Sequence, residues 1–182
     1  MGTFDEALAY VLKWEGGLSE NPNDPGGITN HGISLRFLKS LSEENLLKYD
    51  INPEIDENTV KQLSDIQTRN IYCHEFWNSA PFSLISNQEQ CDYIFDMVVN
   101  MGLAPAIKCV QRAAWAVLKR HDILKEDGKL GNDTIAAIHQ CGFMLMAPLR
   151  AERANHYRTL VLINPVLEKF FNGWLNRTYK CR

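Results

Sequence analysis

Two carboxylates and a hydroxyl fall close together near the start of the chain. Glu15 stands at the entrance of a turn-rich stretch, LSENPNDPGGITNHG; Asp24 lies in its middle and Thr29 follows five residues later. Hydrolysis of a glycosidic bond needs such a pair: one carboxyl protonates the leaving oxygen, and the other handles water or the positive transition state. A polar loop held between rigid helices is a common place for such a site. Glu15 also closes an apolar helical pattern, so it faces the negative end of that helix beside Trp14, surroundings that suit a proton donor. The same spacing is met by an exposed Glu that merely ends a helix.

The elements that must hold these groups are helical. Thr3 and Glu6 have capping-box spacing, and Phe4, Ala7, Leu8, Val11 and Leu12 follow with helical periodicity until Gly16-Gly17. The Asn-, Asp-, Pro- and Gly-rich stretch over residues 18–32 leaves room for one small β-hairpin at most. Helical patterns resume over residues 33–41, from Ser64 (with Gln67 as a second capping box) to about Trp77, and from Gln90 to Gly102. Pro105 opens the next helix, Asn132 caps one over residues 133–139, a long helix covers residues 144–162, and a last one carries Phe170, Phe171, Trp174 and Leu175. The expected fold is mostly α.

The 182 residues suffice for one sizeable core or two small ones. No apolar run approaches the roughly 18 residues of a membrane helix, and the N-terminus carries acids where a signal peptide carries Lys or Arg. Residues 1–90 hold 6 Lys+Arg against 14 Asp+Glu, whereas residues 91–182 hold 13 against 8. The basic half, with Arg153 and Arg177 read as surface cations, is expected to meet an anionic partner. Nucleic acid is a poor candidate, because the acidic half would repel phosphates. Cys73, Cys91, Cys109, Cys141 and Cys181 show neither C-x-x-C nor metal-ligand spacing with the five histidines, so buried reduced thiols and no metal site are expected. An EF-hand reading of Asn21, Asn23 and Asp24 fails, since Gly32 stands where the bidentate Glu belongs.

The run WEGGLSENPNDPGGITNHGIS resembles the signature of glycoside hydrolase family 108, lysozyme-like N-acetylmuramidases of phages and bacteria. The likeness continues through FDMVVNMG (95–102), DGKLGNDTIAAI (127–138) and FFNGWLNR (170–177). The resemblance implies a lysozyme-like helical fold, with a catalytic region over residues 1–89 and a peptidoglycan-binding region over residues 90–182. It implies cleavage of the β-1,4 bond between N-acetylmuramic acid and N-acetylglucosamine, with Glu15 as catalytic acid and no cofactor. Asp24 and Thr29 match the Asp and Thr of phage lysozymes, with a gap one residue shorter than the commoner pattern; inversion, with these two positioning water, follows from that likeness. Asn30, Asp96, Asn100, Trp174 and Arg177 are the expected substrate contacts, although Asp96 and Asn100, one turn apart on an apolar helix, equally suit a buried polar stitch between helices.

The implied partners are the glycan strands and stem peptides of peptidoglycan. A monomer is expected, made in the cytoplasm without a signal peptide and passed through a holin-like pore to act in the periplasm, for lysis or for protein export. Two other classes fit the chain. One is a cysteine amidase or peptidase using Cys73 or Cys109 with a histidine; Cys73 and His74 point apart on a helix and serve each other poorly. The other is a non-catalytic wall-binding protein.

Overall fold

The computed structural model describes residues 1–19, 27–122 and 124–180, and it is mostly helical with one two-stranded antiparallel sheet. Asp24 and Cys181 lie outside the described residues. The chain forms two compact units, one of residues 8–78 and one of residues 1–7 with 79–182. These units part ahead of the 89/90 boundary expected from the sequence. Phe82 packs edge-on against Phe95 at 5.3 Å, which ties residues 79–89 to the helix through Tyr93.

Helix α1 (Phe4–Leu12) runs from one unit into the other. Its expected capping box is not made as drawn, because the Thr3 N–H donates instead to Gln88 Oε1 at 2.8 Å. It also ends three residues before Glu15. The last turn tightens, with the Trp14 N–H on Val11 O at 2.9 Å, and neither Gly16 nor Gly17 takes the left-handed conformation expected of a cap.

In the unit of residues 8–78, strands β1 (Thr29–Asn30) and β2 (Ile33–Ser34) pair in register Thr29↔Ser34 and Asn30↔Ile33. The pattern expected as helical from residue 33 therefore begins with a strand, and helix α2 (Leu35–Ser40) starts only after Ser34, whose hydroxyl caps it. Helices α3 (Glu43–Lys48), α4 (Glu57–Lys61) and α5 (Asp65–Ile71) follow, each opened by a Ser or Asp side chain that accepts a first-turn N–H. Ser64 and Gln67 make the predicted reciprocal box. Beyond Ile71 the helix widens into a π-helical turn, Tyr72–Phe76.

The other unit is a helical pack of α6 (Gln88–Met101), α7 (Leu103–Leu118), α8 (Asn132–Cys141), α9 (Met146–Ile163) and α10 (Glu168–Tyr179). Gly131 rather than Asn132 is the N-cap of α8. Tyr93, Ile94, Met97 and Val98 on α6 are buried as their spacing foretold. Asp96 stands among them, wholly buried, and binds two arginines: Arg177 Nη2 at 2.6 Å and Arg153 Nη2 at 2.8 Å, the latter off the line of a hydrogen bond. Arg153 Nε donates to the Tyr157 hydroxyl at 3.2 Å, which in turn donates to Asn100 Oδ1. Arg153 and Arg177 are therefore interior groups, not surface cations. A side chain long enough to cross between helices is legible in sequence; whether a carboxylate waits there is not.

Candidate active site

Glu15 is fixed from both its backbone and its carboxylate side. Its N–H still donates to Val11 O at 3.2 Å, so the residue keeps the direction of α1 although the regular helix has ended. Four residues on, Ser19 and Thr29 exchange both backbone hydrogen bonds, at 2.7 and 3.0 Å, which brings the chain after Glu15 onto the hairpin. The hairpin tip is a two-residue turn, His31-Gly32, with φ of 49° and 78°. Both residues being left-handed is the pattern of a type I′ turn, whose twist matches that of its strands.

Gly32 is where the carboxylate meets the turn. A Cβ added there would lie 2.6 Å from Glu15 Oε2 and 2.6 Å from the Tyr72 hydroxyl. The two oxygens thus converge on one point, the bare face of a glycine. Tyr72 is 1% exposed and donates to His31 O at 2.9 Å, so it holds the turn from below. Its ring rests against Phe76 at 5.5 Å, and Phe76 stacks on Phe37 of α2 at 5.6 Å. The π-helical turn carries both Tyr72 and Phe76; such turns re-aim side chains and recur at functional sites. Glu15 itself is half-buried, with its carboxyl held against the bare face of Gly32.

Each of the other expected residues has a definite place. Thr29 is half-buried on β1 beside the tip, its hydroxyl within 3.5 Å of Gly27 O. Asn30 is 6% exposed, and its amide hooks the last carbonyls of α4, Val60 O at 3.1 Å and Lys61 O at 3.4 Å. Its amide nitrogen thus anchors the hairpin to α4. Asp96 and Arg177 are consumed by each other, so they present nothing to a glycan; the buried polar stitch is what the fold contains. Asn100 accepts from Tyr157, and Trp174 stacks on the Tyr157 ring at 4.9 Å. Those four belong to the packing of the unit built from residues 1–7 and 79–182, whereas Glu15, Thr29 and Asn30 share the unit of residues 8–78.

Sequence reasoning missed Tyr72 and Gly32. Gly32 was legible as the second residue of a two-residue turn between short strand patterns. Tyr72 carried no signal, since an aromatic on a helical apolar face reads as core. Glu75, on the same π-helical turn, is a further carboxylate, held by the Tyr49 hydroxyl at 2.6 Å and the Asn45 amide at 3.0 Å. Burial first, then that Glu75 hydrogen bond, push the Tyr49 phenol far up, so it stays a donor. Burial also pushes the Cys91 thiol up to about 12 and the Cys109 thiol up to about 11, which keeps both protonated and poor as nucleophiles. Among the described residues no group of three His, Cys, Asp or Glu side chains gathers as a metal site, and no helix is long and apolar enough to cross a membrane.

Residues 8–102, with Glu15, the hairpin and Tyr72 inside them, match the glycosyl hydrolase 108 family. The chain belongs to that family. In this glycosyl hydrolase 108 member, residues 105–179 match a second family, described as a predicted peptidoglycan domain. The structure of Brucella abortus SagA superposes with a TM-score of 0.72 at 23% identity, over 98% of this chain and 90% of that one, which shows a common fold. A search of curated proteins finds no match. The two family matches make this a glycosyl hydrolase with a peptidoglycan-binding region, and peptidoglycan its partner. They meet between 102 and 105, so the hydrolase match includes α6, which packs in the second compact unit.

Proposed function

We propose that this glycosyl hydrolase 108 member is an N-acetylmuramidase, cleaving the β-1,4 bond between N-acetylmuramic acid and N-acetylglucosamine with Glu15 as general acid. The observation that carries the reading is the seat of Glu15. The carboxyl of this half-buried residue is held against a glycine at the tip of a hairpin, beside the buried Tyr72 hydroxyl, within the part of the chain that matches a glycosidase family. In this reading Glu15 gives its proton to the bridging oxygen as the bond to the muramic acid carbon breaks. Asp24 and Thr29 act on the opposite face, orienting the water that replaces it, which makes the enzyme inverting. Residues 105–179 keep the chain on the wall between cuts.

Reducing ends released from purified peptidoglycan measure the reaction. General acid catalysis contributes about 10²- to 10⁴-fold, so a folded Glu15→Gln enzyme should lose at least that much while still sedimenting with insoluble wall. Proton NMR of the first-formed anomer reads the stereochemistry, where an initial β-product excludes inversion. Muropeptides released at the normal rate by Glu15→Gln would remove the acid from the mechanism.

A further inference from the structure

Beside α8 the second unit has a cavity of about 650 Å³, among whose lining residues are Gln111, Lys125, Asp127, Lys129, Asp133 and Thr134. Its floor is built tightly. Gln111 is 1% exposed, and its amide nitrogen reaches Asp127 Oδ1 at 2.9 Å and Thr134 Oγ1 at 3.1 Å, while its oxygen accepts the Gly128 N–H at 3.0 Å. Gly128 has φ +72°, and a Cβ there would lie 2.9 Å from Ala104 O, so the Asp127-Gly128 turn is pressed onto α7 as only glycine permits. Gln111 and Thr134 are spent on shaping this floor.

The rim differs. Neither the Lys125 ammonium nor the Asp133 carboxylate has a hydrogen-bond or ion-pair partner among the described residues, and the Lys129 ammonium stands between them in sequence, near Asp127. The Gln111 amide and the Lys129 N–H hold the Asp127 carboxyl below its usual range, so it stays an anion. Helix α8 begins at the same place, capped by Gly131 with no side-chain bond to its first N–H groups. Among the described residues no aromatic ring lines the cavity, so a pyranose finds no aromatic face to stack on. Unpaired charges of both signs instead fit a ligand that is itself zwitterionic. In peptidoglycan the sugars are largely uncharged, and the stem peptides carry the free carboxylates and amines.

We propose that this cavity binds the stem peptide of peptidoglycan, with a peptide carboxylate at Lys125, Lys129 and the start of α8, and a peptide ammonium at Asp133. The assignment rests on peptidoglycan being the partner of this chain, and it places recognition of the peptide apart from hydrolysis of the glycan. Titrating the full chain with the synthetic tripeptide L-Ala–γ-D-Glu–meso-diaminopimelate, followed by amide NMR, should shift residues 125–134 saturably. An N-acetylglucosamine oligomer should leave those signals in place. Each lost charge-assisted contact is worth about tenfold or more, so Lys125→Glu with Lys129→Glu should weaken the peptide at least tenfold without changing the melting temperature. Glu15→Gln should bind the tripeptide normally. Shifts mapping elsewhere, shifts of these residues by the sugar oligomer, or unchanged tripeptide affinity in the double variant would each overturn the proposal. Tripeptide bound in this cavity by a chain that releases no reducing ends would keep the cavity and overturn the muramidase reading instead.

Discussion

Gly32 is the position where one methyl group tests the site. Gly32→Ala adds two costs that separate cleanly. The first is backbone strain: at φ +78° an L-residue loses roughly 1–2 kcal/mol relative to glycine. The second is contact. The new Cβ would lie 2.6 Å from Glu15 Oε2, against an ordinary separation of about 3.5 Å, so the carboxyl must retreat by nearly 1 Å. A misplacement of that size costs about 10²-fold in rate. Gly32→Asn carries the same Cβ but tolerates the left-handed conformation, so it should recover the strain part of the lost stability and none of the lost activity. Reducing-end release from purified peptidoglycan, normalised to the folded fraction from circular dichroism, reads the two costs separately. Wild-type turnover in either variant, or activity restored by Asn in step with stability, would refute the claim that the turn positions Glu15.

Three further outcomes rest on the same geometry. Tyr72→Phe removes the bond to His31 O, so the hairpin tip should loosen by about 0.5–1.5 kcal/mol, with kcat falling more than KM rises; an unchanged kcat in the folded variant would show that Tyr72 only fills space. Asp96→Asn leaves Arg153 and Arg177 buried without their carboxylate, which should cost about 3–5 kcal/mol and lower the melting temperature by about 6–20 °C; a stable protein with weakened glycan binding would instead make Asp96 a substrate contact. The buried thiols give an alkaline limb. Below pH 9.0 the unfolded thiols keep their protons, but above it they ionise while folded Cys109 and Cys91 hold on to about 11 and about 12, so stability should drop between about pH 9 and pH 12. Iodoacetamide at pH 8 should accordingly leave both unmodified and hydrolysis intact, whereas activity lost on alkylating Cys109 would favour the cysteine amidase.

What the sequence determined was the local grammar. The Ser64–Gln67 box, the apolar face of Tyr93, Ile94, Met97 and Val98, and Pro105 early in α7 are each fixed by residues a few positions apart, so their energies are read without knowing the fold. The place of Glu15, just past the end of the first apolar helical pattern, belongs to the same class. What the tertiary structure decided was which long side chains meet. Asn30 clamps the hairpin onto α4, because the carbonyls of Val60 and Lys61 lie thirty residues away in sequence and about 3 Å away in space. Asp96, Arg153 and Arg177 are separated by 57 and 81 positions, and only the approach of α6, α9 and α10 turns three apparently available charges into one buried cluster. The Glu15 seat needed the same kind of meeting. A helix end, a turn glycine and a tyrosine from a π-helical segment converge there, and their convergence rests on packing, which no local pattern encodes.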